Sequence, residues 1–103
     1  MRRTQIVNSI KEAMKPFGNV QTILFGSEAR GDARIDSDID LLLIVDAVKL
    51  SYAEEEKITL PLYEIELKNG VTINPIVQTK AQWENRPFKT PFYINVMNEG
   101  ITL

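Results

Sequence analysis

Two carboxylates near the middle of the chain, Asp38 and Asp40, are separated by one residue where the apolar run IDLLLIV begins. Such a run is typical of a buried strand, and side chains two apart on a strand project from the same face. Ile39 points the other way, into the core. Two carboxylates side by side repel each other unless a cation neutralises them, and their hard oxygens suit Mg²⁺. The pattern therefore predicts a magnesium site at Asp38 and Asp40.

A second group of chemically capable residues precedes this pair, where the β-type run VQTILF ends in Gly26 and Ser27. Glycine has no side chain, so its backbone can approach a phosphate closely, and N–H groups at such a turn bind anions. Ser27 adds a hydroxyl donor, and Arg30 carries a permanently charged fork that suits phosphate. The alternative for Arg30 is a surface ion pair with Asp32 or Asp36. The segment predicts a phosphate-bearing ligand beside the metal.

The composition narrows the chemistry that these groups can support. The 103 residues are enough for one domain, which we expect to span residues 1–103, and they include neither histidine nor cysteine. This excludes an imidazole base, thiol catalysis, disulfides and zinc held by cysteine or histidine. Binding and catalysis must rely on carboxylates, hydroxyls, amides, lysine and arginine.

Charge and hydropathy limit the class of partner. The formal net charge is −2, which argues against a nucleic-acid duplex and favours a small nucleotide or a protein partner. No apolar run approaches the roughly 20 residues that span a bilayer. The basic dipeptide Arg2-Arg3 is not followed by the apolar core of a signal peptide. We therefore expect a cytoplasmic protein without membrane association.

Periodicity and turn residues divide the chain into short elements. A first helix capped by Thr4 is followed by the strand VQTILF, a polar loop over residues 26–37 with one helical turn, and the central strand. Residues 71–78 predict a further strand, and Pro75 inside it favours an edge position or a bulge. A short capped turn and a final helix over residues 92–99 complete the chain.

The segment that follows the central strand allows two structures. Ser51 and Glu54 form a capping box, and apolar residues follow at helical spacing, but Pro61 is unfavourable inside a helix. The Asn-Gly dipeptide near its end also suits a hairpin turn between two strands. We favour a kinked or two-piece helix that ends at Gly70.

Two groups of side chains are expected to be structural. Glu28 is predicted to face solvent, because an acid at this point would disfavour a bound phosphate. The aromatic residues near the C-terminal end are predicted to pack as core under the last helix, and they are Trp83, Phe88, Phe92 and Tyr93.

The chemically capable segment resembles the signature of the nucleotidyltransferase superfamily, the group that includes DNA polymerase β. That signature is Gly-Ser, a spacer of about ten residues and then Asp-hydrophobic-Asp in an apolar run. The residues that match it position by position are Gly26, Ser27, Asp38 and Asp40. The tripeptide at residues 29–31 and Ser37 match the wording usual in the minimal nucleotidyltransferase branch. The resemblance implies an α/β (α+β) fold, a small mixed β-sheet flanked by helices.

The resemblance also implies an activity. A nucleoside monophosphate would pass from a nucleoside triphosphate, with ATP expected, to an acceptor hydroxyl, and pyrophosphate would leave. Asp38 and Asp40 would be catalytic and would hold magnesium. The implied nucleotide-binding residues are Gly26, Ser27, Arg30 and Ser37. Minimal members are commonly encoded beside a helical HEPN-type protein in pairs that resemble toxin–antitoxin modules, so the chain is expected to be the antitoxin of such a pair.

One feature departs from the family pattern. Catalytic members carry a third carboxylate on a following strand, and the matching position in this chain is Asn74 or Thr72, neither of which is acidic. An amide can coordinate a metal but cannot accept a proton at neutral pH. Glu64 and Glu66 could replace the missing acid only if their segment folds toward the site.

The missing acid keeps other functions open. A degenerate module that binds nucleotide or partner without turnover is the alternative to an enzyme. A fragment of a larger kanamycin-nucleotidyltransferase-like protein, which would act on a small molecule, is a third reading. The sequence leaves open the base preference, the acceptor and whether the chain forms a homo-oligomer.

Overall fold

The computed structural model describes residues 3–85 and 88–103, in which helices alternate with the strands of one sheet. The elements are α1 (Thr4–Met14), β1 (Val20–Phe25), α2 (Gly26–Arg30), β2 (Ile39–Val45), α3 (Tyr52–Asn69), β3 (Ile73–Thr79), α4 (Lys80–Glu84), α5 (Pro91–Glu99) and β4 (Ile101–Thr102). No helix among the described residues is long and apolar enough to cross a membrane. The mixed sheet flanked by helices confirms the predicted fold class.

The sheet has the strand order β3-β2-β1-β4. β2 lies inside it, antiparallel to β1 and parallel to β3, and is buried along almost its whole length. The prediction of a central strand covered on both faces is therefore confirmed. β3 lies at the edge, where Pro75 is tolerated because a strand with one neighbour does not need every N–H as a ladder donor. The two residues of β4 are too few to carry a periodic signal, and the sequence did not predict them.

The two faces of β2 pack against different helices. Its alternate residues Leu41, Leu43 and Val45 belong to the larger core cluster, which also holds buried residues of α1 and α3. Leu42 and Ile44 project from the opposite face and pack with Trp83 of α4 and Val96 of α5. By the same alternation, Asp40 lies on the face that α4 and α5 cover in part.

The predicted aromatic packing is confirmed in part. The Phe92 ring meets the rings of Phe25 and Trp83 edge-on, with centroids 5.4 Å and 6.1 Å apart. Trp83 also contacts Tyr93, at 5.0 Å between centroids. Phe88 is 71% exposed, so its prediction as a core residue is wrong. It lies in the connection between α4 and α5, where no helical register directs its side chain inward.

Arg3, which precedes α1, forms hydrogen bonds with a carboxylate of α2. Thr4 is the first residue of α1 and not its cap, because Arg3 occupies the capping position. Arg3 donates to the Glu28 carboxylate through Nε over 2.7 Å and through its backbone N–H over 3.1 Å. Glu28 is fully buried, so the prediction that it faces solvent is wrong. The charge of the Arg3 guanidinium, its one hydrogen bond through Nε and the bond from the backbone N–H offset part of the desolvation of the carboxylate.

α3 is a continuous helix of 18 residues, so the preference for a helix over the hairpin is confirmed, whereas its division into two pieces is wrong. Pro61 lies between the buried residues Ile58 and Leu62. Their packing on the core offsets the one helical hydrogen bond that proline cannot donate. Ser51 caps the start of the helix and Gly70, at a φ of 65°, ends it, as predicted.

Candidate functional site

The end of β1 meets the start of β2 at Phe25 and Asp40, which pair across the antiparallel ladder. The next residue, Gly26, has a φ of 76°, and a Cβ atom built on it would lie 2.5 Å from Asp40 Oδ2. Side chains rarely adopt this backbone conformation, and a Cβ atom here would displace the Asp40 carboxylate. The position therefore favours glycine, and its backbone lies against a carboxylate.

Asp38 and Asp40 are joined by an amide from β3. The parallel register pairs Asp40 with Asn74, whose Nδ2 donates to Asp38 Oδ2 over 2.9 Å and to Asp40 Oδ1 over 3.3 Å. Two carboxylates that share one donor must lie side by side, and the donated N–H groups offset part of their repulsion. The structure thus brings together the two acids that strand alternation pairs.

Asn74, and not Thr72, occupies the position at which a third carboxylate is expected. Thr72 lies just before β3, and its carbonyl accepts an N–H from β2. Glu66 accepts the Ile73 N–H over 2.6 Å, which connects α3 to β3. Glu64 is exposed on α3. Across the part of the chain that the structure describes, no three acidic side chains form a metal-binding group.

The donors at this point are two carboxylates and one amide, all of which carry oxygen. Mg²⁺ commonly takes one or two carboxylates and keeps several waters, so it does not need a complete protein cage. Asp38 and Asn74 are exposed, which leaves room for waters and phosphate oxygens. Asn74 can present its amide oxygen to a cation after a rotation of its terminal amide group. The residues therefore fit Mg²⁺, with one acid fewer than a three-carboxylate site.

Two of the groups assigned to phosphate binding, the Gly26 N–H and Arg30, donate hydrogen bonds to a carboxylate of the chain itself. Glu99, the last residue of α5, accepts the Gly26 N–H over 3.1 Å. It also accepts Arg30 Nη1, at 3.2 Å and 3.0 Å through its two oxygens. The hydrogen bonds to Glu99 and then to Asp32 raise the pKa of Arg30 above its ordinary value. We call the Gly26 N–H and the Arg30 guanidinium together the anion cradle.

Sequence reasoning missed Glu99, which lies 73 residues from Gly26 in the chain. Its one local signal is its place as the last helical residue before Gly100, and this signal does not relate the helix end to Gly26. For Arg30, the alternative of an ion pair with Asp32 is present in the structure, at 3.3 Å. The Nε and Nη1 atoms of Arg30 are therefore available to phosphate only in exchange for these carboxylates.

The two serines assigned to nucleotide binding have different surroundings. Ser27 lies in α2, and its carbonyl accepts the N–H of Gly31, the left-handed residue that ends this short helix. The Ser37 hydroxyl accepts the Arg34 N–H over 2.8 Å and so closes a turn in the loop before β2. The role of both hydroxyls toward a phosphate stays a prediction.

A cavity of about 740 Å³ lies on the same sheet face as the carboxylates. Ile23 and Ile44 of the sheet line it, together with Trp83, Tyr93 and Met97 from α4 and α5. A cavity of this size can receive a small molecule or the side chains of a bound protein segment. The candidate site therefore consists of a metal and phosphate region at one end of the sheet face and a cavity further along it, whose lining also includes the charged residues Lys80, Glu84 and Lys89.

Comparison with known proteins agrees with the signature. The family described as nucleotidyltransferase domain matches residues 5–102. A Methanocaldococcus jannaschii protein named "Putative protein adenylyltransferase" is 33% identical over 103 residues, which cover 94% of this chain and 97% of the relative. A second protein of that organism with the same description is 38% identical over 100 residues, which cover 96% and 91%.

A solved structure shares the fold. It is described as "Crystal structure of the toxin-antitoxin with AMP-PNP" and matches with a TM-score of 0.58 at 20% identity, covering 92% of this chain and 69% of that chain. Identity this low supports a likeness of fold alone. The family match and the two relatives span almost the whole chain. The chain therefore belongs to the nucleotidyltransferase domain family, and its predicted place in the minimal branch is confirmed.

Proposed function

We propose that the chain binds a nucleoside triphosphate, with ATP expected, together with Mg²⁺ and transfers the AMP group to a hydroxyl of a partner protein. One observation carries the proposal: the joined carboxylates of Asp38 and Asp40 lie against the backbone of Gly26. Nucleotidyl transfer needs a cation and a phosphate chain side by side, and these are the groups that bind them. Membership of the family makes this the reaction to test.

Each group has a role in the proposed reaction. Asp38 and Asp40 would hold the magnesium, which would supply charge neutralisation at the phosphates. The Gly26 N–H, the Ser27 hydroxyl and Arg30 bind the phosphate chain. The acceptor oxygen bonds to the α-phosphorus, and the bond from this phosphorus to the bridging oxygen breaks as pyrophosphate leaves. The proton of the acceptor hydroxyl passes to an aspartate or to water, because an asparagine cannot take it.

The acceptor in this proposal is a protein. Both Methanocaldococcus relatives carry the name "Putative protein adenylyltransferase", and the structural neighbour is described as a toxin–antitoxin with AMP-PNP. The cavity beside Trp83 and Tyr93 is on the carboxylate face, where it can receive side chains of a bound protein. We propose a helical HEPN-type protein as the partner and this chain as the antitoxin that modifies it.

A second candidate function is a module that binds nucleotide or partner without turnover. The observation that favours it is Asn74, which stands beside Asp40 where a carboxylate is expected. Without that acid, the described site has fewer groups to hold a second cation and to accept the acceptor's proton. Binding would survive, because the cradle and two carboxylates remain.

The two functions are separated by a transfer assay. The chain is incubated with Mg²⁺, a candidate HEPN-type protein, and ATP labelled at the α-phosphate. Asp38→Ala and Asp40→Ala are the test variants. Asp46→Ala is the matched control, since Asp46 is an exposed aspartate at the other end of β2.

Label on the partner that is lost in both test variants and kept in Asp46→Ala supports the enzyme. Calorimetric binding of ATP and Mg²⁺ without any label transfer overturns the enzyme and supports the binding module. A chain that binds neither ATP nor Mg²⁺ nor the HEPN-type protein overturns both functions.

A further inference from the structure

The carboxylate of Glu99 fills the anion cradle. Its Oε1 lies 3.1 Å from the Gly26 nitrogen and 3.2 Å from Arg30 Nη1, and its Oε2 lies 3.0 Å from the same Nη1. Carboxylates and phosphates are both oxyanions that accept hydrogen bonds from backbone N–H groups and guanidinium. Glu99 therefore makes, within the chain, the contacts that a phosphate oxygen would make.

Glu99 and a phosphate cannot both hold these donors. The Gly26 N–H carries one hydrogen, which is directed at Glu99 Oε1. A phosphate against the Glu99 carboxylate would also bring like charges together, which electrostatic repulsion opposes. A phosphate chain can occupy the cradle only after the Glu99 side chain has left it.

The ion pair between Glu99 and Arg30 is accessible to solvent, so it can break without leaving either group without a hydrogen-bond partner. The side chains of Glu99 and Arg30 are 21% and 48% exposed, so water can replace each partner when they separate. Exposed ion pairs contribute little stability, which makes their release a small cost for the binding of a multiply charged ligand. The rest of α5 stays anchored, because Val96 is buried against the sheet.

We infer that Glu99 is an internal competitor for the phosphate site and lowers the affinity of every ligand that uses the cradle. The inference rests on the proposed function, because it places phosphate at Gly26 and Arg30. Apparent affinity falls by the fraction of chains whose cradle is free. An exposed ion pair of usual strength corresponds to a loss of roughly two- to five-fold. A nucleoside without phosphate does not use the cradle and is not affected.

Glu99→Gln tests the inference, because it removes the charge while it keeps the size of the side chain and an acceptor oxygen. The full chain and the variant are titrated by calorimetry, in Mg²⁺, with a non-hydrolysable ATP analogue, with tripolyphosphate and with adenosine. The first two ligands are expected to bind roughly two- to five-fold more tightly to the variant, and adenosine equally to both. Asp36→Asn is the matched control for net charge, since Asp36 is exposed in the loop before β2.

Each outcome decides the inference. Equal or weaker binding of tripolyphosphate by Glu99→Gln overturns it and leaves the proposed function standing, as does an equal gain in Asp36→Asn. Failure of both phosphate ligands to bind either chain overturns the inference and the proposed function together.

A second measurement uses the unaltered chain and so does not depend on how the variant folds. Binding of the analogue should release Glu99 and speed amide hydrogen exchange in the last turn of α5, where Gly100 N–H donates to the Val96 carbonyl. Exchange that is unchanged at this turn when the cradle is saturated overturns the inference.

Discussion

Asn74 lies beside Asp40 in the parallel register of β2 and β3, with its amide nitrogen 3.3 Å from the Asp40 carboxylate. The amide therefore stands where catalytic relatives of this fold are expected to carry an acid. It lowers the repulsion between Asp38 and Asp40, but it cannot take a proton from an acceptor. In the proposed reaction, the transfer of the acceptor's proton depends most directly on this pair.

Asn74→Asp should convert the site to three carboxylates. Label transfer in Mg²⁺ is expected to rise at least about tenfold, because the new acid can hold a cation and accept a proton. Without Mg²⁺, the free energy of unfolding should fall by about 1 kcal/mol, since two hydrogen bonds are lost and a third like charge is added. Transfer assays and urea denaturation with EDTA measure the two effects.

Asn8→Asp is the control for this change, because Asn8 is exposed on α1, away from the carboxylates. Asn8→Asp should change neither label transfer in Mg²⁺ nor the free energy of unfolding without Mg²⁺. Transfer by Asn74→Asp that stays at the level of the unaltered chain would show that the missing acid is not what limits the reaction.

Gly26→Ala should damage both stability and ligand binding. Its Cβ would lie 2.5 Å from Asp40 Oδ2, and its φ of 76° is unfavourable for alanine. We expect a loss of about 1–3 kcal/mol in the free energy of unfolding and at least about tenfold weaker binding of the ATP analogue. Gly18→Ala is the matched control, because no atom lies within 4 Å of a Cβ at that position. Equal behaviour of the two variants would contradict the close approach of Gly26 and Asp40.

The Asp38 carboxylate should lower the free energy of unfolding when Mg²⁺ is absent and raise it when Mg²⁺ is bound. Asp38→Asn is expected to raise the free energy of unfolding by about 0.5 kcal/mol in EDTA, because it relieves the repulsion from Asp40. The same variant should lose the rise in Tm that Mg²⁺ gives the unaltered chain, since binding to the native state alone stabilises it. Melting curves with EDTA and with Mg²⁺ measure both. A full Mg²⁺ response in Asp38→Asn would exclude Asp38 as a ligand. Loss of the response in the control Asp46→Asn would show that the response is not specific to Asp38.

Arg3→Met should destabilise the fold. It removes the guanidinium that donates to the fully buried Glu28 carboxylate over 2.7 Å. Loss of one partner from a buried ion pair costs about 3 kcal/mol. Urea denaturation measures this loss, and Arg34→Met, at an exposed arginine of the loop before β2, should stay within about 0.5 kcal/mol of the unaltered chain. A loss below about 1 kcal/mol in Arg3→Met would contradict the structural role of the pair.

The elements that the sequence predicts correctly are those whose signals are local. The burial of β2 follows from its apolar run, and the end of α3 at Gly70 follows from glycine at a left-handed position. Pro61 led to a wrong prediction because the unfavourable effect of proline in a helix can be read from the sequence. The packing of Ile58 and Leu62 that outweighs this effect depends on the tertiary structure. Glu28 misleads for the same reason, since the arginine that permits its burial comes from another element.

The sequence by itself determined the pair Asp38 and Asp40 and the glycine that precedes them, because alternation along a strand and the spacing of a turn act over a few residues. Only the tertiary structure decided which residue stands beside Asp40, since the register of β3 selects Asn74 over Thr72. Tertiary structure also placed Glu99 on the Gly26 N–H, 73 residues away. Strand register and helix docking are set by the packing of the whole core, which no local pattern contains.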